Sequence, residues 1–423
     1  MRTAIVHYWL VSMRGGERVL EQLCKLYPEA DVYTHVVDEA TLTKELRRHD
    51  IETTFISSLP FARRLYQAYL PLMPWALERL DLTSYDLILS SESGPAKGVI
   101  PGVNARHVCY CHSPMRYVWD EHYRYVAEAG PMRGLALSFF AHYLRAWDVA
   151  TAARVDKFVA NSRFVAQRVR RYYGRPATVV HPPVDLERFS PSPVADCGPF
   201  YLLAGALVGY KRADLAIEAV RGTGRRLVVA GEGPCLDHLR RDAPSEVSFL
   251  GRVTDEELTR LYARCRALIF PGQEDFGIVP LEAMASGRPV IALGRGGVLD
   301  TVRDGINGLL FADPTPDALR AAMDRFEAMS RAFDPDRVAR TVRRFSEARF
   351  RQDMRWAIED EAEEALPFRS VGFPQPAMPA VGSQASIGSV VRAGETASAS
   401  CAEGRASNAS TSRAKRSHVS VSR

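Results

Sequence analysis

The chain has no stretch of eighteen uninterrupted apolar residues, and its opening MRTAIVHYWL holds no long apolar run behind a basic start. Neither a membrane-crossing helix nor an export signal is therefore expected. Cysteine is sparse and shows no paired pattern. Cys24, Cys109, Cys111, Cys197, Cys235, Cys265 and Cys401 are odd in number, scattered, and mostly set in apolar runs. That usage argues against a disulfide framework and for free thiols in a reducing compartment. Cys109-x-Cys111 beside His112 is spelled like a metal site, but no second Cys/His pair stands at ligand spacing, so no metal is expected. A G-x-G-x-x-G turn is missing from the first strand-to-helix connection of either half, which disfavours a dinucleotide-dependent oxidoreductase. Charge of one sign is lacking too. The formal net charge of +5 arises beyond Phe368, where seven cations face two anions. The remainder is near neutral, and its charge supports no nucleic-acid partner.

What is present is the composition of a soluble globular protein, 46% hydrophobic and 25% charged, in 423 residues. That length exceeds one comfortable core, so two domains are expected. Short β-rich runs alternate with helical-period segments, the pattern of parallel α/β units. Strands are expected at 3–7, 31–33, 53–56, 87–89, 107–110, 157–160 and 178–180. After a helix-hostile stretch between His181 and Pro199 they resume at 201–203, 227–230, 247–250, 267–270 and 289–292. The expectation is two Rossmann-like, doubly wound domains, 1–190 and 191–345, then a helix over 346–367 that packs across them. The Ser/Ala/Gly/Pro-rich remainder, 368–423, is expected to be a disordered tail. Two segments, Leu59–Leu80 and Gly134–Ala150, are unusually apolar. They read either as core helices or, given Arg63, Arg64, Tyr69 and Trp75, as a face for a membrane surface.

Ligands of such sheets bind where strands end, so the loops there carry the chemistry. In PGQEDFGIVPLEAMASGRPVIA the carboxylates Glu274 and Glu282 would lie about 12 Å apart along one helix, too far to act together. Pro280 and Gly287 instead suggest a helix between them, with Glu274 in the preceding loop and Glu282 in its first turn. Val279 is a poor N-cap, which leaves amides free for an anion such as phosphate. Carboxylates on either side suit hydroxyl donors. Lys211 and Arg212 stand where the next helix of the second half opens, the wrong end of its dipole unless an anion binds there. Gly15 and Gly16 open a helix after the first strand and allow close backbone approach. His112 follows a strand directly, and Arg116 follows one turn later.

With these loops assembled, the sequence resembles family 4 of the retaining glycosyltransferases, which have the two-Rossmann GT-B fold. The similarity spans roughly residues 1–365 and rests on RGGERVL, CYCHSPMRYVWD, VDKFVANSRFV, the lysine of VGYKR, and EDFGIVPLE in that order. Bacterial mannosyltransferases of surface polysaccharide synthesis are the nearest in appearance. The resemblance implies a nucleotide-sugar donor bound mainly by the second domain and a glycan or polyprenyl-linked glycan acceptor bound by the first. On that pattern Glu274 and His112 serve the transferred sugar, Glu282 the ribose, and Arg252 and Val253 the base. Lys211, Arg212 and the amides of Gly277, Ile278 and Val279 hold the diphosphate, Gly15 and Gly16 close over it, and Arg116 lies on the acceptor side. It also implies retention of configuration, no metal or other cofactor, and work in the cytoplasm at the inner face of the membrane. One departure stands out: relatives usually carry Arg where this chain has Ala206, between Gly205 and Leu207. A non-catalytic sugar-nucleotide-binding subunit, or a nucleotide-sugar epimerase or hydrolase of the same fold, fits the same residues.

Overall fold

Seven strands from the first half and six from the second pair into two separate parallel sheets in the computed structural model, which describes residues 1–360. The expected tail over 368–423, and the end of the helix expected over 346–367, lie outside the described residues. The first sheet is built of β1 (Thr3–His7), β2 (Asp31–Thr34), β3 (Ile51–Thr53), β4 (Leu87–Glu92), β5 (Arg106–Cys111), β6 (Lys157–Ala160) and β7 (Thr178–Val179), in the order β3-β2-β1-β4-β5-β6-β7. The second is built of β8 (Phe200–Ala204), β9 (Arg226–Ala230), β10 (Val247–Gly251), β11 (Leu268–Phe270), β12 (Val290–Leu293) and β13 (Gly308–Phe311), in the order β10-β9-β8-β11-β12-β13. Both are doubly wound, Rossmann-like sheets. Strand β4 is buried at every position, as expected where helices cover both faces.

Sequence order reverses between β1 and β4 in one sheet and between β8 and β11 in the other. At such a switch point neighbouring crossovers leave on opposite faces, and a crevice opens beyond the strand ends. Two expectations fail locally. The strand expected at 53–56 ends at Thr53, and Phe55–Ser58 forms a 3-10 turn that buries Ile56. Four apolar residues, too short a run to separate from a loop by pattern, form the unexpected β13 against β12.

The C-terminal helix Glu347–Glu359 is capped by Ser346, whose hydroxyl accepts from the Arg349 amide. Its Phe350, Met354, Ala357 and Ile358 follow helical spacing and share one apolar cluster with Ile5, Leu23 and Val108 of the first domain. The chain thus returns to the first domain after completing the second. On the way the Val184 amide donates to Phe345 O at 2.9 Å, so the two crossings run side by side. Among the described residues no helix is long and apolar enough to cross a membrane.

For the apolar segments, the core reading holds only in part. Helix Pro131–Ala152 buries Ala141, Leu144 and Ala152, while Met132, Leu135 and Phe139 are 86%, 74% and 75% exposed. Phe61 and Trp75 of the neighbouring segment are exposed as well.

Candidate functional site

The strand ends at the two switch points face one cavity of about 850 Å³. From the first domain come Gly15 and Gly16 after β1, and His112 and Arg116 after β5. From the second come Ala206, Tyr210 and Lys211 after β8, and residues 274–279 after β11. Both glycines stand close against neighbouring side chains. A Cβ on Gly15 would lie 2.8 Å from Ile278 Cδ1 across the cleft, and one on Gly16 would lie 2.1 Å from the Tyr8 hydroxyl.

Lys211 Nζ stands 3.0 Å from Glu274 Oε1, both largely buried. Burial works against the ammonium, but the Glu274 carboxylate and Tyr210 together outweigh it and hold the Lys211 pKa above its ordinary value. Beside this pair the helix Ile278–Ala285 begins two residues earlier than Pro280 suggested. Its N-cap is Gly277 at φ 87°, with no side-chain hydrogen bond to the first turn. The uncapped amides and the positive end of the helix dipole therefore face the cavity from Gly277, Ile278 and Val279.

Four expected residues lie elsewhere. Glu282 falls one turn later than expected, because the helix starts earlier, and does not line the cavity. The Tyr262 hydroxyl donates to its Oε2 at 2.9 Å, while burial pushes the Glu282 carboxyl above the usual range. Arg252 and Val253 line a separate hollow of about 400 Å³ with Glu257 and Arg260. Arg212 takes the left-handed conformation at φ 53°, and its Nε lies 3.1 Å from both carboxylate oxygens of Asp214. Its guanidinium is thus turned to Asp214, whereas Ala206 does line the cavity.

His112 shares a hydrogen bond of 2.9 Å between Nε2 and Ser91 Oγ. Burial lowers its pKa to about 4, with the Asp275 carboxylate pulling the other way, so the imidazole is neutral near pH 7. Arg116, expected on the acceptor side, reaches across the cleft instead, donating from Nε to Asp275 Oδ2 at 2.8 Å, and its guanidinium lies over the Tyr210 ring. Sequence reasoning missed Asp275, Arg168, Ser91 and Tyr210. Asp275 could have been suspected from its place beside Glu274. Arg168 left no local signal, because its partner lies 107 positions away. Apolar and aromatic side chains, Trp9, Leu70, Tyr117, Tyr125 and Leu137, also line the cavity.

Residues 13–188 match the family model described as Glycosyltransferase Family 4, and residues 187–344 match the one described as Glycosyl transferases group 1. Two glycosyltransferase family models thus match the chain's two domains in turn. The domains form a GT-B fold, as the solved relatives show. Anabaena Alr3699/HepE, determined in complex with UDP, superposes at a TM-score of 0.63 with 18% identity, over 84% of this chain and 98% of its own. Among curated proteins, the D-rhamnosyltransferase WbpZ of Pseudomonas aeruginosa is 31% identical over 218 residues, 47% of this chain and 55% of that one. A GDP-mannose-dependent alpha-(1-6)-phosphatidylinositol monomannoside mannosyltransferase of Mycolicibacterium smegmatis is 31% identical over 221 residues, 45% of this chain and 56% of that one. The chain spans about half the length of the curated relatives it matches. Within this GT-B frame, the cavity occupies the crevice formed by both switch points.

Proposed function

We propose that the chain is a retaining glycosyltransferase that moves a hexosyl group, mannosyl from GDP-mannose in the first instance, to a polyprenyl-linked glycan in surface polysaccharide synthesis. The observation that carries this reading is the Lys211–Glu274 pair at 3.0 Å, beside the uncapped N-terminus of helix Ile278–Ala285 in the interdomain cavity. Departure of a nucleoside diphosphate develops negative charge. A fixed ammonium and oriented amides stabilise that charge without reorganising, and no metal or other cofactor is assigned. Glu274 accepts from sugar hydroxyls, and neutral His112 faces the transferred sugar from the first domain. Glu282, with Arg252 and Val253, is assigned to the nucleoside beyond the cavity. The mannosyl choice draws on the resemblance and on the GDP-mannose dependence of the Mycolicibacterium relative. The exposed Met132, Leu135 and Phe139 support peripheral contact with the inner face of the membrane, where a lipid-linked acceptor would be presented.

A panel of GDP-mannose, GDP-fucose, UDP-glucose and UDP-galactose, assayed with a polyprenyl-linked glycan, tests this. One donor should turn over, and Glu274→Ala and Lys211→Ala should abolish that turnover. Ala206 in the cavity keeps the non-catalytic reading in view. Donor binding without turnover would select it, and sugar release without an acceptor would select a hydrolase.

A further inference from the structure

Asp275 lies between Glu274 and the amide-bearing turn at Gly277, and its side chain is held entirely from the first domain. Its Oδ1 accepts from Arg168 Nη1 at 2.8 Å, and its Oδ2 accepts from Arg116 Nε at 2.8 Å and from Arg116 Nη2. Its backbone oxygen accepts from Ser162 Oγ at 2.5 Å. The residue is 9% exposed. The arginines are fixed in turn. Arg168, on helix Arg163–Tyr173, also donates to Ser113 Oγ at 2.6 Å and pairs with Asp120. Ser162 is the N-cap of that same helix, accepting from the Val165 amide.

We propose that Arg116, Arg168 and Ser162 clamp Asp275 so that closure of the two domains sets the position of Glu274 and of the Gly277–Val279 amides for transfer. Two features separate this from an ordinary structural ion pair. The clamp crosses from one domain to the other, and it belongs to neither apolar core, since the clusters around Ile5 and around Leu202 are distinct. It also grips the residue directly after the carboxylate assigned to the sugar and two before the turn assigned to the diphosphate. A shift of about 1 Å in such groups is enough to slow a reaction by about a hundredfold. Asp275 and Arg168 are positioning residues here, acting through Glu274 and the helix end.

The kinetic arm of the test rests on the transfer reading; the scattering arm does not. Full-length Asp275→Asn, Arg168→Gln and Arg168→Lys are compared with wild type by small-angle scattering and by kinetics with GDP-mannose and UDP-glucose. Asp275→Asn should scatter as a more open molecule. Its kcat should fall about 10- to 100-fold while donor KM moves less than about threefold. Arg168→Lys should recover more rate than Arg168→Gln. Unchanged scattering and kcat would overturn the clamp, as would a raised KM at constant kcat, which would make Asp275 a donor ligand. If Asp275→Asn fails to fold by circular dichroism, Arg168→Gln is read alone. If both fail, the cluster is structural and the proposal falls. Should wild type turn over neither donor, the transfer reading fails, while the scattering still decides the clamp.

Discussion

At the scale of single residues, two groups assigned to the ligand pair with each other. Lys211 neutralises Glu274 at 3.0 Å. An incoming diphosphate would take over the ammonium and release the carboxylate for hydroxyl donors, so one exchange prepares both subsites. The weak point of this arrangement is Ala206. It lines the cavity, and the nearby Arg212 is committed to Asp214. Ala206→Arg should therefore lower the donor KM by about one to two decades, the worth of a charge-assisted phosphate contact. Steady-state donor titrations check it, and an unchanged or raised KM counts against the placement. Lys211, Glu274 and the glycine pair were legible in the sequence because each residue type has a local reason to stand at a strand end. Arg168 was not, because a pair formed across domains leaves no spacing to read. The sequence placed Glu274 in the loop and Glu282 in the helix that follows, but one turn too early. The helix start was misplaced because Gly277, not the residue before Pro280, supplies the N-cap.

At the scale of elements, the alternation of strands and helices carried most of the fold. The sheets fail to match it where strands are short: β3 ends early, and β13 reads as loop. The returning helix Glu347–Glu359 falls within the helix expected over 346–367, and its apolar face packs on the core of the first domain. Phe350 is fully enclosed there. Phe350→Ala should lower stability by about 3–5 kcal/mol, the usual cost of emptying an aromatic site in a core. Urea unfolding followed by tryptophan fluorescence measures it. A loss below about 1 kcal/mol would show that the helix adds little to that core.

At the scale of the whole molecule, burial leaves several histidines neutral. His107 and His112 are lowered to about 4 and His35 to about 3, and His7 falls well below its ordinary value, desolvation leading in each case. The unfolded chain binds protons near pH 6.5, the native one far lower. Stability from these groups is therefore fully present above pH 6.5 and is lost as pH falls toward 4, each contributing a slope of about 1.4 kcal/mol per unit. Glu17, Glu92 and Glu282, raised by burial, Glu92 to about 7, work in the opposite direction, three groups against five once His181, also lowered by burial, is included. The urea midpoint should drop between pH 7 and pH 5, and His35→Gln should flatten the drop. A pH-independent midpoint would contradict this.

The central claim is that a diphosphate sits between Lys211 and the open end of helix Ile278–Ala285. Calorimetric titration of wild type and Lys211→Ala with GDP and UDP tests it most directly. One nucleotide should bind wild type and lose at least about tenfold in affinity in the variant, or 1.4 kcal/mol. Equal affinity in the two proteins would contradict the account.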